Sequence, residues 1–207
     1  ISDADITARV EEKWDAHCSA VAARHSHMLA SLPPWQQADD QTEESWNEQR
    51  SAMDCILERL EILRMMLLSA AHPGRKVYHG RPLIRPLYVQ GPPGTGKTFL
   101  GLQALRFVAK SICSRDIEWE VVSLSAQRAS VLGGIHIHSL FGFRPGRSCF
   151  YSTAQQYAAS SMAHLSRRPE KKRWLHSLEV LFIDEMCQVG GPLLLAMDIV
   201  LRNVKGN

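Results

Sequence analysis

Residues 91–98 read Gly91-Pro92-Pro93-Gly94-Thr95-Gly96-Lys97-Thr98. They follow the apolar run 83–89, which predicts a strand, and they open a helical pattern over 97–111. A glycine-rich loop between a strand and a helix is typical of phosphate binding, because glycines let backbone N–H groups turn toward the phosphates. The positive end of the following helix adds to that attraction. The loop therefore predicts binding of a nucleoside triphosphate; the structural alternative is a Gly/Pro turn that happens to precede a lysine.

Four side chains carry the predicted chemistry. Lys97 is expected to reach the β and γ phosphates of ATP, and the Thr98 hydroxyl to ligate Mg²⁺. Asp184 and Glu185 end the apolar strand pattern 179–183, and ligands of parallel α/β sheets lie beyond such strand ends. We expect Asp184 to hold Mg²⁺ and Glu185 to orient or deprotonate the attacking water. Acidic residues that merely begin a turn are the alternative interpretation.

Strand and helix patterns alternate through most of the chain. Strands are predicted at 83–89, 117–124 and 179–183, with helical patterns between and after them. This alternation predicts an α/β fold with a parallel sheet flanked by helices. Further helical patterns cover 5–32 and 46–70, and the polar stretch 36–45 indicates a linker between them.

Composition narrows the class of protein. The 207 residues, 45% of them hydrophobic, suffice for one domain with an appended helical piece. A net charge of +3 is too small to imply nucleic-acid binding by itself, so any such site must be local. The basic run 167–173 is such a local feature, interpreted either as a solvated helix face or as a phosphate contact.

The cysteine spacing and the lengths of the apolar runs indicate the cellular setting to expect. The five cysteines are scattered without a C-x-x-C pair, which predicts neither a disulfide framework nor a zinc site. We therefore expect an intracellular setting, the nucleus in a eukaryote or the mitochondrion. No apolar run approaches the roughly 18 residues of a membrane span, so no membrane partner is expected.

The segment 123–143 resembles a known nucleic-acid motif. It is similar to the Ia motif of the PIF-type (petite integration frequency) DNA helicases, the 5′→3′ branch of helicase superfamily one. The coinciding residues are Ala129, Gly133, Gly134, Ile137, His138, Ser139 and Gly142. Ile183-Asp184-Glu185 with Val189 resembles the acidic motif of that family, and 46–50 resembles its Q motif.

The resemblance implies a fold, an activity and a set of sites. Residues 46–207 would be part of a P-loop NTPase (RecA-like) domain, and 1–45 a helical extension with a linker. The activity would be ATP-dependent unwinding of forked DNA and movement along single-stranded DNA, with ATP and Mg²⁺ as cofactors. Gln49 would read the adenine edge. The residues implied to contact DNA are Ser125, His138, Ser139 and Phe141, with core packing as the alternative for Phe141.

Several positions depart from the family pattern. Ser125-Ala126-Gln127-Arg128 replaces Thr-Gly-x-Ala, so Arg128 places a charge at a small-residue position. Cys187-Gln188 replaces Ser-Met after the acidic pair. The given residues stop before the Gly-Asp-x-x-Gln segment and the second motor domain of the family. We therefore expect them to bind nucleotide but to hydrolyse it very slowly, with a second motor domain in the full-length chain.

Two other classes of protein remain open. A different P-loop ATPase, such as a AAA+ machine or a transposition ATPase, predicts no affinity for single-stranded DNA. A decayed, non-catalytic remnant of a mobile-element (Helitron-like) helicase predicts at most a binding module, and the charge of Arg128 favours that alternative.

Overall fold

A computed structural model describes residues 3–70, 86–111, 118–144 and 153–206 of the chain. The backbone divides into two compact units, the first made of residues 1–31 with 117–207 and the second of residues 32–116. The helices are α1 Asp3–Ser31, α2 Glu43–Ala70, α3 Lys97–Ser111, α4 Ala126–Val131, α5 Ile137–Phe141, α6 Ala154–Leu165, α7 Pro169–Ser177 and α8 Gly191–Lys205. None of these described helices is long and apolar enough to cross a membrane.

The first unit is built on a parallel sheet. Its strands β1 Glu118–Ser123, β2 Ile135–His136 and β3 Leu178–Asp184 lie in the order β2-β1-β3, with β1 in the centre. Ser123 pairs with His136 on one side and with Asp184 on the other, so the carboxyl ends of all three strands meet at one edge. β1 is buried along nearly its whole length, as expected for the central strand of a sheet covered by helices.

Helices α5 to α8 supply most of the core of this unit. Its largest side chains with almost no exposure are Trp174, Phe141, Ile137, Leu165, Leu175 and Met197. Local sequence sets several helix ends. Thr153 and Gln156 form a reciprocal capping box at the start of α6, and Pro169 occupies the first turn of α7, where its missing N–H costs nothing.

The second unit is held by contacts between α2 and α3. Met53 of α2 packs against Leu100 and Ala104 of α3. Trp35 covers this junction, with its ring 4.8 Å from that of Trp46 and 5.6 Å from that of Phe99. The small apolar core therefore fixes α2 beside α3.

Most predicted elements are confirmed, with one exception in the described residues. β1, β3 and the helical patterns at 5–32, 46–70 and 97–111 appear as predicted, with ends shifted by a few residues. The strand predicted at 83–89 is wrong over 86–89, where the backbone is irregular, and 83–85 lie outside the described residues. The α/β class with a parallel sheet flanked by helices is thus confirmed. The predicted domain boundary at residue 45 stays a prediction.

A buried carboxylate joins α1 to the sheet. Glu120 in β1 has no exposed surface, and Arg24 contacts both of its oxygens, at 3.1 and 2.8 Å. His25 Nε2 lies 3.4 Å from Oε1 and its ring stacks on Trp119 with centroids 3.6 Å apart. Burial acts to raise the pKa of Glu120, but the hydrogen bonds from His25 and Arg24 and the charge of Arg24 outweigh it and leave the pKa lowered.

We expect Arg24→Ala to lower the free energy of unfolding by about 3 kcal/mol, because it removes the main partner of a buried charge. Since the pKa of Glu120 is lowered on folding, this stabilisation is present at neutral pH and is lost as the pH falls through the carboxyl range. Urea unfolding followed by circular dichroism at neutral and acidic pH measures both effects. Arg202→Ala, which breaks the exposed pair with Asp198, should cost less than about 0.5 kcal/mol. Equal urea midpoints for the two variants would contradict the role of Arg24 as the main partner of the buried Glu120 carboxylate.

Candidate functional site

The glycine-rich loop lies in the second unit and leads directly into α3. Gly94 and Gly96 have φ values of 79° and 75°, a left-handed backbone that glycine adopts without strain. The helix begins at Lys97, and Leu100 N–H donates to the Gly96 carbonyl at 2.9 Å to close the first turn. The loop therefore ends at a helix N-terminus, where unpaired N–H groups and the helix dipole attract anions.

The ammonium of Lys97 lies against the loop itself. Its Nζ donates to the carbonyl oxygens of Gly91 at 2.8 Å and Pro92 at 2.6 Å, and it lies 3.4 Å from Thr95 Oγ1. Thr95 Oγ1 in turn donates to the Pro92 carbonyl at 2.9 Å. A charged donor is thus held against the loop by neutral acceptors, and charged phosphate oxygens form stronger hydrogen bonds with such a donor than neutral carbonyls do.

Gln49 contacts the same loop. Its Nε2 donates to the Thr95 carbonyl at 2.9 Å, and a Cβ added at Gly96 would lie 2.8 Å from that nitrogen. Gln49 reaches this position because it precedes Met53, which packs against α3, by one turn of α2. The structure therefore brings Gln49, Lys97 and the loop together, and Thr98 follows in the first turn of α3. The adenine-reading role of Gln49 and the Mg²⁺ role of Thr98 stay predictions.

The acidic pair lies in the first unit, at the end of β3. Asp184 is 5% exposed, and its Oδ2 accepts a hydrogen bond from Arg128 Nε at 2.8 Å. Glu185 is exposed and is the one non-glycine residue with positive φ in the described chain, at 54°. Its Oε2 accepts from Gln188 Nε2 at 2.7 Å. Among the described residues, no group of three or more histidine, cysteine or acidic side chains is arranged to hold a metal ion.

Arg128 is a residue of this site that the sequence interpretation did not place. It was noted only as a charge at a small-residue position. The signal was present, however, because 125–128 follow β1 and Asp184 ends β3, and neighbouring parallel strands bring their carboxyl ends together. An arginine just beyond one strand end and an aspartate on the next could have been predicted to pair.

The residues resembling motif Ia have structural roles in this chain. Ser125 caps α4 by accepting from Arg128 N–H at 3.3 Å. Gly133 has φ of 62°, its carbonyl accepts from Arg24 Nη1 at 3.2 Å, and a Cβ there would meet Met28 Cβ at 2.7 Å. A Cβ on Gly134 would lie 2.3 Å from the Val121 carbonyl oxygen. The absence of side chains at Gly133 and Gly134 therefore lets this segment pack closely against α1 on one side and β1 on the other.

The aromatic and histidine residues of this segment fall into two groups. Phe141 has no exposed surface and stacks on Phe143 with centroids 5.5 Å apart, which favours core packing over contact with DNA. His138 is half-buried, its ring is 5.0 Å from that of His136, and burial followed by the charge of His136 lowers the pKa of His138. His138 is therefore neutral at neutral pH. Ser139 is exposed, and its carbonyl accepts from Lys171 Nζ at 3.2 Å.

A groove of about 850 Å³ runs between α1 and the segment 126–139. Its polar lining residues are His17, Arg24, His27, Ser31, Ser130, His136 and Ser139. Of the four residues implied to contact DNA, only Ser139 lines this groove. Hydroxyl and imidazole groups can donate hydrogen bonds to phosphates without reading bases, whereas the charge of Arg24 is already paired with Glu120.

The basic run 167–173 contributes to packing between elements. Arg173 pairs with Glu11 at 3.0 Å, and its guanidinium lies 4.3 Å from the centre of the Trp14 ring. Together with the bond from Lys171 to Ser139, this ties α7 to α1 and α5. These contacts favour a structural role for part of the run.

Comparison of the chain with protein-family models, with curated proteins and with solved structures found no match.

We expect Gly134→Ala to lower the free energy of unfolding by about 3 kcal/mol, because the added methyl group collides with the backbone of β1. Gly191→Ala is the matched control, since a Cβ there meets nothing within 4 Å. Thermal unfolding of the two variants measures the difference. If Gly134→Ala were as stable as Gly191→Ala, the glycine pair would not be a packing requirement.

Proposed function

We propose that this chain is the nucleotide-binding part of an ATP-driven motor that moves along single-stranded DNA. The observation that carries the proposal is the loop 91–98, in which two left-handed glycines deliver Lys97 to the first position of a helix. The contact of Gln49 with Thr95 supports it, because the resemblance assigns adenine reading to a glutamine at this position. The Gly133-Gly134 and His138-Ser139 segment supports the choice of a DNA motor over another P-loop ATPase.

In this proposal the loop amides and Lys97 bind the triphosphate. The Lys97 ammonium would exchange the Gly91 and Pro92 carbonyl oxygens for β- and γ-phosphate oxygens. Gln49 contacts the loop through Thr95 and is proposed to bind the adenine base. Mg²⁺ would neutralise phosphate charge when bound with the nucleotide, and the Thr98 hydroxyl is its proposed ligand in this unit. Asp184 is the metal ligand proposed in the first unit.

Glu185 is proposed as the carboxylate that orients the attacking water. Its left-handed backbone, directly after a buried strand, costs about 1 kcal/mol or more for a residue other than glycine. Strain of this kind is often kept at functional positions, which supports the assignment. Gln188, which departs from the family residue, holds the carboxylate by its side-chain amide.

We expect Lys97→Ala to weaken ATP binding at least about a hundredfold, because it removes the charge that pairs with the phosphates. Equilibrium titration with a fluorescent ATP analogue measures the loss. Lys205→Ala, which removes a charge elsewhere in the chain, is the control and should bind as the unchanged chain does. Unaltered binding by Lys97→Ala would refute the phosphate-binding role of the loop.

For DNA, we propose that a single strand runs through the groove beside α1. Its hydroxyl and imidazole lining suits hydrogen bonds to phosphates, and Ser139 connects it to the residues named by the resemblance. Ser125 adds a hydroxyl at the nearby start of α4. Phe141 is not part of this proposal because it is buried.

We expect the double variant Ser125→Gly/Ser139→Ala to bind a single-stranded oligonucleotide about tenfold more weakly, because two hydrogen bonds to phosphates are lost. Glycine is chosen at 125 because it retains most of the capping stability of α4. The slope of affinity against salt should stay the same, since no charge is removed. Ser166→Ala, at an exposed serine, is the control in the same anisotropy titration. Equal affinities in the two variants would discard this contact surface.

One observation favours a second candidate, a non-catalytic nucleotide-binding remnant. One oxygen of Asp184, the proposed Mg²⁺ ligand, is engaged by Arg128. A chain in which that contact keeps the metal away would bind nucleotide without hydrolysing it. ATP turnover that requires Mg²⁺ and is lost in Asp184→Asn would favour the motor, whereas ATP binding without any turnover would favour the remnant.

A further inference from the structure

At the carboxyl ends of β1 and β3, the guanidinium of Arg128 contacts Asp184, the predicted metal ligand. Ser123 ends β1 opposite Asp184, and Ser125 then starts α4 and caps it at Arg128 N–H. This short turn points Arg128 back across the strand end, where Nε lies 2.8 Å from Asp184 Oδ2. The Asp184 side chain is 5% exposed and that of Arg128 38% exposed.

The donor set fits Mg²⁺ in kind. Carboxylate oxygens are the hard ligands that this ion prefers, and Asp184 with Glu185 supplies them at one strand end. The arrangement sets a condition, however. A divalent cation at Asp184 would share its carboxylate with a guanidinium, and the two positive charges repel one another. Solvent reaches the Arg128 side chain and weakens this repulsion without abolishing it.

We propose that Arg128 is a tethered counter-ion that sets the Mg²⁺ affinity of Asp184; this inference rests on the proposed function. A metal ion at Asp184 must either displace Arg128 from Oδ2 or bind beside its positive charge. In both cases the metal affinity of Asp184 is lower than that of the same carboxylate without the arginine. The small residue that the family pattern has at position 128 imposes no such competition.

The chain offers a matched pair for comparison. Arg202 Nε also lies 2.8 Å from a carboxylate oxygen, Oδ2 of Asp198, but there the side chains are 68% and 50% exposed. Exposed pairs contribute little because solvent screens both charges. In the pair of Arg128 with Asp184, the carboxylate is almost fully buried. Removal of Arg128 should therefore change the cation affinity of its partner more than removal of Arg202 does.

The test is a titration of the nucleotide-free chain with Mn²⁺, read from the electron paramagnetic resonance signal of the free ion. We expect Arg128→Ala to bind Mn²⁺ about tenfold more tightly than the unchanged chain, a factor within the usual range of coupling between two ligands. Arg202→Ala should bind as the unchanged chain does. Asp184→Asn added to Arg128→Ala should abolish the gain. Arg128→Gln repeats the measurement with a polar side chain of similar reach if the alanine variant does not fold.

The outcomes separate this inference from the proposed function. If Asp184→Asn weakens Mn²⁺ binding but Arg128→Ala and Arg128→Gln leave it unchanged, the counter-ion role is overturned and the metal role of Asp184 stands. If Asp184→Asn has no effect in either background, the nucleotide-free chain does not hold Mn²⁺ through Asp184, and the counter-ion role of Arg128 is overturned. The same titration repeated with bound ATP then tests the metal role of Asp184 in the proposed function. Nucleotide binding through Lys97 is measured independently of both results.

Discussion

Glu120 imposes a constraint on the whole first unit. A carboxylate with no exposed surface in the central strand is tolerated only with charged or hydrogen-bonding partners. The Val121 N–H of β1 supplies one hydrogen bond, and both side-chain partners, Arg24 and His25, come from α1. α1 is therefore an obligatory layer of the sheet, although nothing in its sequence resembles a helicase. A chain shortened to the residues that resemble the family would leave this charge buried without its two partners, and the sheet that bears Asp184 would be destabilised.

The same constraint changes how the family-like glycines are interpreted. Gly133 and Gly134 coincide with a DNA-binding motif, yet their lack of side chains is required here by Met28 and by the backbone of β1. A motif residue can thus satisfy a packing requirement and still border a nucleic-acid groove. In this chain both glycines line the groove beside α1, together with Ser130 and Ser139.

Elements whose formation depends on the local sequence pattern could be predicted from the sequence. Apolar runs bounded by turn residues identified β1 and β3, and the glycine-rich loop 91–98 was recognisable because its glycines and Lys97 stand in fixed order. The partners of Asp184 and Glu120 were not predicted, because ion pairs between distant segments depend on how strands and α1 are packed together. Residues 86–89 are apolar enough for a strand but form none, since strand formation needs a neighbour as well as a propensity.

The left-handed backbone of Glu185 sets the strain of the main chain against the presence of a carboxylate at this position. Glycine at position 185 would remove the backbone strain but also the carboxylate. The residue that favours folding most at this position is therefore one without an acidic group. Under the proposed function the carboxylate is required at this turn, so glutamate would be kept there at some cost to the stability of the fold. The residue that best suits the backbone at this strand end and the residue that the proposed function requires are then different amino acids.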